Sequence, residues 1–428
     1  MLLVSAVASL VLVFTTVDPF ITMGILVGGD DFMTYKVAAR HVIQHQPLYN
    51  APLIHEHLYT YTPFSALVFL PFLLLPGGLV DVNIWLVINI VVLVAIVVQC
   101  WRMLGYSVTR TVVAASVLIA LTCTFLEPVR TTLFYGQINL VLLLVVLWDV
   151  GRPTQSRLRG IGVGIAAGIK LTPGYFIFYF LTLRQWRAAA VALGTVLASV
   201  GLGWAILPSD SRQYWAGMLF DTQRIGNDFL HPANQSLRGA IGRLAGGPPW
   251  IVTDAMPGEA PPTWLWLLAA VAVVAVSSVI AVLLYRQGER LLSITLTGLT
   301  GVTVSPFSWA HHWVWFVPLI VWVVHRALTV RWWWLCALAL ILILGAWPYQ
   351  FPIDEVPRIG LFMFPPEWVD WNVLVNLYLL VYAVVLMGAA LLVIKTARRG
   401  RKSDTVATNS ASGQSIQKIS SPGAEVGD

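Results

Sequence analysis

Long apolar segments alternate with short polar segments along almost the whole chain. Most of the apolar segments approach the length of roughly 20 residues that a helix needs to cross a bilayer. The candidate spans lie near residues 3–24, 84–101, 109–125, 136–150, 188–207, 263–285, 289–304, 308–325, 331–348 and 371–395. This pattern predicts an all-α polytopic membrane protein with about twelve transmembrane helices.

Two apolar stretches lack the continuity or the length of an ordinary span. Residues 159–183 are interrupted by the sequence KLTPG, Lys170 to Gly174. Because basic residues stand at both ends of this stretch, we expect two short helices that meet at the break. Residues 63–76, PFSALVFLPFLLLP, form a run of only 14 residues. That length is more typical of a helix that dips into the bilayer than of one that crosses it.

The composition supports a membrane protein and leaves little room for a soluble catalytic domain. Of the 428 residues, 58% are hydrophobic and 11% are charged, whereas soluble domains carry about 25% charged residues. The Lys and Arg residues are spread over short loops. The net charge of +6 therefore indicates membrane topology, with both termini cytoplasmic, rather than nucleic-acid binding.

The longer polar segments divide the chain into a membrane domain and a tail. Residues 1–395 are interpreted as one membrane domain whose outer loops are residues 28–62, 208–262 and 349–370. The tail, residues 396–428, is rich in Ser, Gly and Ala and is predicted to be disordered and cytoplasmic. The three cysteines lie in or beside apolar runs, so we expect core residues rather than a disulfide framework or a metal cluster.

Two adjacent acids follow the first predicted span, in the sequence GGDDFMTYKVAARHV. Asp31 is a plausible N-cap of the helix that begins here. The functional alternative is a carboxylate, Asp31 or its neighbour Asp30, that is held at the membrane surface and removes a proton from an attacking sugar hydroxyl. The spacing alone is compatible with both interpretations.

Polar side chains also occur within apolar surroundings, in the sequence FLEPVRTTLFYGQINLVLLL. Polar groups at this depth are costly unless they pair or bind a ligand. Glu127 and Arg130 could form an ion pair, or Arg130 could hold an anion, while Gln137 and Asn139 open the next span. Lys170, at the break in its apolar stretch, is expected to bind an anion such as phosphate or to extend to the interface without a ligand.

Further candidates lie in the outer loops and at the outer end of a span. SPFSWAHHWVWFVP places His311 and His312 next to Trp309, where histidines could orient an acceptor hydroxyl and a tryptophan could stack on a sugar. Tyr61 could provide a stacking surface or belong to an interfacial aromatic belt. The loop DTQRIGNDFLHPANQSLRGAIGRL contributes amide and charged groups that suit either hydroxyl-rich ligands or loop folding: Asp221, Arg224, Asn227, Asn234, Gln235 and Arg238.

Cofactor sites are not indicated by the sequence. His55 and His57 could join His311 and His312 in a metal site, but the spacing is loose and we expect hydrogen-bonding histidines and no metal. The sequence contains no Walker loop, and no GxGxxG motif opens a soluble βαβ unit. We therefore expect neither ATP nor a nicotinamide cofactor.

Several of these motifs, in this order and spacing, resemble those of glycosyltransferase family 87, a family of GT-C polyprenyl-phosphate-sugar transferases. The motifs are DDFMTY, YTYTPFSALVFLP, EPVRTTLFYGQINLVLLL, GIKLTPGYFIFYFL followed by RQWRAA, DTQRIGN with NQSLRGAIGRL, and SPFSWAHHWVW. The resemblance is strongest to the α-(1→2)-mannosyltransferases of the family. It implies a polyprenyl-phosphate-mannose donor, a phosphatidylinositol-mannoside or lipomannan acceptor, and an active site on the extracytoplasmic face of the plasma membrane.

The resemblance also implies roles for individual residues. Asp31 would be the base of an inverting displacement, Lys170 and Arg130 would stabilise the leaving phosphate, and His311 or His312 would hold the acceptor or support the base. Donor and acceptor sugars would contact a further set of polar and aromatic residues, namely Asp30, Tyr61, Glu127, Gln137, Asn139, Asn234, Gln235 and Trp309. No metal or other cofactor is implied.

Two departures from the mannosyltransferase pattern keep alternatives open. TYTP stands where TYPP is more usual, and DDF is also found in a related branch that transfers arabinofuranose from decaprenyl-phosphate-arabinose. An arabinofuranosyltransferase is therefore the first alternative. The second, from another class, is a glycolipid transporter, which would place its polar residues near the bilayer midplane and serve both faces.

Overall fold

A computed structural model describes residues 28–54, 57–220, 229–246, 261–350, 357–364 and 373–417, together with residues 3, 4, 6 and 7. The described backbone is largely helical. In chain order the helices are α1 (Asp30–Ile43), α2 (Pro63–Val68), α3 (Gly78–Met103), α4 (Arg110–Cys123), α5 (Glu127–Tyr135), α6 (Asn139–Val150), α7 (Ile161–Ile169), α8 (Tyr175–Thr182), α9 (Trp186–Ile206), α10 (Pro208–Ala216), α11 (Leu237–Gly246), α12 (Thr263–Arg286), α13 (Arg290–Val304), α14 (Phe316–Thr329), α15 (Trp333–Ile343) and α16 (Leu377–Gln417).

The prediction of a polytopic, predominantly helical membrane protein is confirmed, whereas the predicted number of about twelve spans stays a prediction. Within the described ranges, five helical segments are long and apolar enough to cross a membrane, or six if α5 and α6 count as one bent span. The five are Gly78–Met103, Trp186–Ile206, Thr263–Arg286, Ala310–Thr329 and Leu374–Arg398. The predicted first span, residues 3–24, lies almost entirely outside the described residues.

Several of the predicted spans within the described residues are divided by breaks or form short helices. The predicted spans at 109–125, 289–304 and 331–348 contain helices of 14, 15 and 11 residues. The chain bends by 117° between α5 and α6. The bend begins at Gly136, whose φ of 67° falls in the left-handed region that favours glycine. Apolar composition alone does not reveal such bends.

Both irregular stretches recognised in the sequence are confirmed. The helix α7 ends at Ile169, and α8 begins at Tyr175 after a 3-10 turn at Thr172–Gly174. Residues 63–76 form the short helix α2 and a 3-10 segment, Leu70–Leu74, rather than one continuous helix.

Small residues allow α7 and α9 to pack closely. A Cβ atom on Gly164 would lie 2.4 Å from the Cβ of Thr195, and one on Gly168 would lie 2.4 Å from the Oγ of Ser199. These glycines are four residues apart and therefore share one helix face. Spacing of this kind is typical of close helix contacts in membranes, and it fixes the end of α7 that carries Lys170.

The helix α1 lies against the segment that follows it. Phe32 stacks on Trp85 at 5.5 Å between ring centroids, and Tyr35 stacks on Phe69 at 4.4 Å. One turn further along, the buried Lys36 pairs with Asp81 at the start of α3. Aromatic packing and this ion pair thus hold α1 against α3 and the 3-10 segment.

The described residues also include one two-stranded antiparallel ribbon, an exception to the all-α prediction. It joins β1 (Pro348–Gln350) to β2 (Pro357–Ile359), with Tyr349 opposite Arg358. At the other end of the chain, the backbone of α16 is helical as far as Gln417. The helix therefore includes part of the segment, residues 396–428, that was predicted to be a disordered tail.

Candidate active site

Asp31 lies in the first turn of α1. The N-cap position belongs to Gly29, so Asp31 is not the N-cap that its position in the sequence suggested. Its Oδ2 atom accepts a hydrogen bond of 2.6 Å from Nε2 of Gln137. Burial raises the pKa of the Asp31 carboxyl to about 6, and the hydrogen bond from Gln137 and the positive charge of Lys170 limit the rise. The carboxylate is thus poised to accept a proton near neutral pH.

Gln137 reaches Asp31 because of the bend between α5 and α6. Gly136 ends α5, and a Cβ at this position would lie 2.8 Å from the Cβ of Phe32. The carbonyl of Gly136 accepts a 2.7 Å hydrogen bond from Nε1 of Trp85. The bend is therefore packed against α1 and α3, and the side chain of Gln137, which follows it, points to Asp31.

Lys170 contacts Asn139, the first residue of α6 after the same bend. Its Nζ donates to Oδ1 of Asn139 at 3.0 Å and lies 3.1 Å from Nε2 of His312. The ammonium group is also 5.3 Å from the centre of the Tyr61 ring. Since a lysine ammonium is a donor, the neighbouring Nε2 of His312 acts as the acceptor, and the imidazole proton is on Nδ1. The predicted break thus brings Lys170, Asn139 and His312 into one cluster.

The two histidines have different positions. Both belong to a 3-10 turn, Ala310–Trp313, which packs against α5. His311 is buried, and its carbonyl oxygen accepts hydrogen bonds from Asn139 at 3.0 Å and from Thr132 at 3.3 Å. His312 is half-buried and faces Lys170. Of the pair, His312 is the one placed for contact with a ligand at the lysine.

A small groove of about 50 Å³ begins at this cluster. Asn139, Lys170, Thr172 and His312 form its polar part. The rest is mainly apolar and runs between α6, α8 and α13, where it is lined by Leu142, Leu143, Val146, Pro173, Tyr175, Phe176, Gly298, Gly301, Val302, Val314 and Trp315. A polar end on an apolar groove matches the two parts of an amphipathic lipid.

Glu127 and Arg130 are both buried in α5. The Glu127 carboxylate accepts hydrogen bonds from the hydroxyls of Tyr378 and Thr131, the latter at 2.6 Å. Its backbone N–H donates to the carbonyl of Leu344 at 2.8 Å. These contacts connect the start of α5 to the segments before β1 and at the start of α16. The sugar contact predicted for Glu127 and the phosphate contact predicted for Arg130 stay predictions.

Asn234 and Gln235 are fully buried, with 0% exposure, and fix a loop. Oδ1 of Asn234 accepts from the N–H of Ser308 at 3.1 Å. Nε2 of Gln235 donates to the carbonyls of Pro232 at 2.6 Å and Val375 at 2.7 Å. Their amides therefore bond to the protein itself, although sugar contacts were predicted. Asp221, Arg224 and Asn227 of the same loop lie outside the described residues.

Three further candidates stand at the edges of the cluster. Trp309 is half-buried and forms a backbone bridge with Asn234. Asp30 is half-buried at the start of α1, where its carbonyl accepts a 2.8 Å hydrogen bond from Oγ1 of Thr34. The hydroxyl of Tyr61 lies 2.9 Å from Oε1 of Gln137, so this part of the ring is used within the protein.

Tyr35 was not predicted to belong to the site. Its hydroxyl is 3.1 Å from Oε1 of Gln137 and 2.7 Å from the hydroxyl of Tyr61. The signal in the sequence was its spacing, because Tyr35 follows Asp31 by four residues and lies on the same face of α1. Within the described part of the chain, no group of three or more His, Cys, Asp or Glu side chains could hold a metal; His55 lies outside that part.

Comparison with known proteins identifies the family. The profile described as glycosyltransferase family 87 matches residues 59–306, more than half of the chain. The chain belongs to glycosyltransferase family 87. Gln137, Asn139 and Lys170 lie within the matched range, whereas Asp31 and His312 lie on either side of it.

Several relatives of known name each cover two thirds or more of the chain. A Mycolicibacterium smegmatis protein named polyprenol-phosphate-mannose-dependent α-(1-2)-phosphatidylinositol pentamannoside mannosyltransferase is 34% identical over 367 residues, 83% of this chain and 82% of its own length. A Mycobacterium tuberculosis protein of the same name is 34% identical over 325 residues, which are 74% of this chain and 70% of the relative. A second M. tuberculosis protein, named polyprenol-phosphate-mannose-dependent α-(1-2)-phosphatidylinositol mannoside mannosyltransferase, is 30% identical over 308 residues. These residues are 68% of this chain and 69% of the relative. No solved structure shows a significant match.

Proposed function

We propose that this protein transfers mannose from polyprenyl-phosphate-mannose to a hydroxyl group of a phosphatidylinositol mannoside and forms an α-(1→2) linkage. The observation that carries the proposal is a half-buried carboxylate, Asp31, held by Gln137, close to an ammonium group, Lys170, that is held by Asn139 at the polar end of an apolar groove. The names of the relatives supply the sugar, its lipid carrier and the acceptor class.

The chemistry is a single displacement at the anomeric carbon. The Asp31 carboxylate takes the proton of the acceptor hydroxyl, whose oxygen forms the new bond to the anomeric carbon. The bond between that carbon and the phosphate oxygen breaks, and its electron pair leaves with the polyprenyl phosphate. Lys170 stabilises the negative charge that develops on the phosphate. A β-linked donor thereby gives an α-linked product.

The groove supplies the reason for a lipid-linked donor rather than a soluble nucleotide sugar. Its polar part offers Lys170 and His312 to the phosphate, and its apolar walls offer Leu142, Phe176 and Val302 to the first isoprene units. Burial of each CH₂ group contributes about 0.8 kcal/mol. A few isoprene units therefore bind appreciably against these apolar side chains.

The remaining features of the proposal follow the resemblance to the family. They are a GT-C architecture with about twelve spans, a plasma-membrane location, and an active site on the extracytoplasmic face. Support comes from the Lys and Arg residues of the short loops, because the positive-inside rule then puts the loop that carries Asp31 outside. A lipomannan chain is the alternative acceptor, since it presents the same secondary hydroxyls.

The experiment is sugar transfer by the purified protein with labelled polyprenyl-phosphate-mannose and a phosphatidylinositol-mannoside acceptor. The wild type should transfer mannose. Asp31→Asn should lose at least ~100-fold in rate, because its amide cannot accept the proton, while its melting temperature in detergent stays close to that of the wild type. If Asp30→Asn loses activity and Asp31→Asn does not, the base is Asp30 rather than Asp31.

Two results would overturn the substrate or the reaction class. Transfer from decaprenyl-phosphate-arabinose, with none from the mannose donor, would make the protein an arabinofuranosyltransferase. Movement of intact donor across a vesicle membrane, with no product bond formed, would make it a transporter.

A further inference from the structure

A closed triangle of hydrogen-bonding groups lies behind the proposed base. The hydroxyls of Tyr35 and Tyr61 are 2.7 Å apart, and they lie 3.1 Å and 2.9 Å from Oε1 of Gln137. The other end of the Gln137 amide donates to Oδ2 of Asp31 at 2.6 Å. Gln137 thus connects a pair of tyrosines to the carboxylate.

The triangle fixes the orientation of the amide. Two hydroxyl protons are shared among three short contacts, and the contact between the tyrosines uses at most one of them. At least one hydroxyl therefore donates to Oε1 whenever both protons stay within the triangle. A flipped amide would direct its oxygen at the carboxylate oxygen of Asp31, where two acceptors repel each other. The NH₂ group is consequently held toward Asp31.

The surroundings make this arrangement rigid. Tyr35 is 0% exposed, Tyr61 is 7% exposed and Gln137 is 5% exposed. The Tyr35 ring is stacked on Phe69 and meets the Tyr61 ring edge-on at 5.1 Å. Because buried polar groups without partners are strongly disfavoured, the hydroxyls and the amide have little freedom to rearrange.

We propose that Gln137 is a positioning residue that holds the Asp31 carboxylate for proton removal, with Tyr35 and Tyr61 fixing the direction of its amide. The inference rests on the proposed function, in which Asp31 is the base. By binding Oδ2, the amide leaves Oδ1 for the acceptor hydroxyl and prevents the carboxylate from turning away. Gln137 is thereby assigned to the base rather than to the sugar contact that the sequence suggested.

The first test is the pH dependence of kcat/KM for mannosyl transfer by Gln137→Met, which keeps the length of the side chain and removes the hydrogen bond. We expect kcat to fall about 10- to 100-fold, the effect typical of misplaced catalytic groups, with KM for both substrates nearly unchanged. The donated hydrogen bond lowers the pKa of Asp31. Without it, the acidic limb of the profile should move to higher pH.

The matched control is Gln99→Met, the same substitution at a glutamine in α3 whose Nε2 bonds to the carbonyl of Leu147 at 3.3 Å. Its pH profile should be that of the wild type. If the acidic limb of the kcat/KM profile and the value of kcat are both unchanged in Gln137→Met, the proposal is overturned. A change confined to KM would overturn it as well and return Gln137 to sugar binding.

A second set of variants tests the tyrosines and does not depend on the stability of Gln137→Met. Either Tyr35→Phe or Tyr61→Phe leaves one hydroxyl on Oε1, so each should retain most of the activity. The double variant leaves none, and it should show the same shift of the acidic limb as Gln137→Met. Additive small effects, with no shift in the double variant, would contradict the positioning role.

The two proposals fail in different ways. If wild type transfers no mannose, or if Asp31→Asn remains active, the proposed function or its base is wrong. If wild type transfers mannose, Asp31→Asn does not, and Gln137→Met has wild-type kinetics at every pH, only the positioning role is wrong.

Discussion

Replacement of Lys170 by methionine should separate binding of the phosphate from binding of the acceptor. Methionine keeps a long side chain against the groove and removes the charge. Two unit charges about 4 Å apart attract by ~4 kcal/mol at an effective dielectric constant of about 20. Lys170 gives up part of its contact with Asn139 and His312 when it binds the phosphate. We therefore expect the variant to lose only about half of this attraction, ~2 kcal/mol, in donor binding. Donor KM should then rise ~30-fold.

The rate should also fall, because the phosphate gains negative charge as it leaves. If half of one further unit charge has developed in the transition state, the same Coulomb estimate gives ~2 kcal/mol more stabilisation by Lys170. This corresponds to ~30-fold in kcat. The product of the two effects is a loss of ~1000-fold in kcat/KM for the donor, with acceptor KM close to that of the wild type.

Steady-state kinetics with each substrate varied in turn provides the measurement. Lys395→Met, at an exposed lysine of α16, is the matched control and should be unaffected. The reasoning is refuted if acceptor KM rises as much as donor KM, or if kcat is unchanged. A large fall in melting temperature would instead assign a structural role to Lys170.

Two further predictions concern the base and the loop. In the wild type, kcat/KM should rise with pH through a value of about 6, because burial raises the pKa of Asp31 to that value and only the carboxylate accepts a proton. It should fall again above about pH 8, because burial lowers the pKa of Lys170 to about 8 and only the ammonium form attracts the phosphate. A rate that is constant between about pH 5 and 8 would exclude Asp31 as the base. Gln235→Leu leaves the carbonyls of Pro232 and Val375 and the N–H of Tyr378 without their bonds to its amide, at a cost of about 1–3 kcal/mol each. Its melting temperature in detergent should fall while acceptor KM stays constant, and the reverse result would favour sugar binding.

Local features of the sequence predicted local features of the structure. The proline and glycine in KLTPG predicted the break after α7, and the short run at residues 63–76 predicted a short helix. These signals act over a few residues and depend on backbone chemistry that the sequence shows directly. The helix breaks within apolar runs were not all predicted, because hydropathy does not record where an apolar run bends, as it does at Gly136.

For the site, the sequence predicted which residues have unusual chemistry but not which partners they have. Lys170, Asn139 and His312 were all recognised as polar groups in apolar surroundings, and the structure brings them together. Asn234 and Gln235 carried the same signal, yet they bond to the backbone. A buried amide that binds a sugar and one that fixes a loop have the same composition, and only the tertiary contacts distinguish them.

The bend between α5 and α6 explains how the site keeps two opposite charges apart. Gln137 on one side of Ile138 bonds to Asp31, and Asn139 on the other side bonds to Lys170. A direct ion pair would satisfy both charges and weaken both functions, since a carboxylate held by an ammonium group accepts protons poorly and the ammonium group has less attraction left for a phosphate. Neutral amides position each group without neutralising it. A rigid turn that carries two amides, two residues apart, is therefore suited to an enzyme that must remove a proton and stabilise a leaving phosphate in the same step.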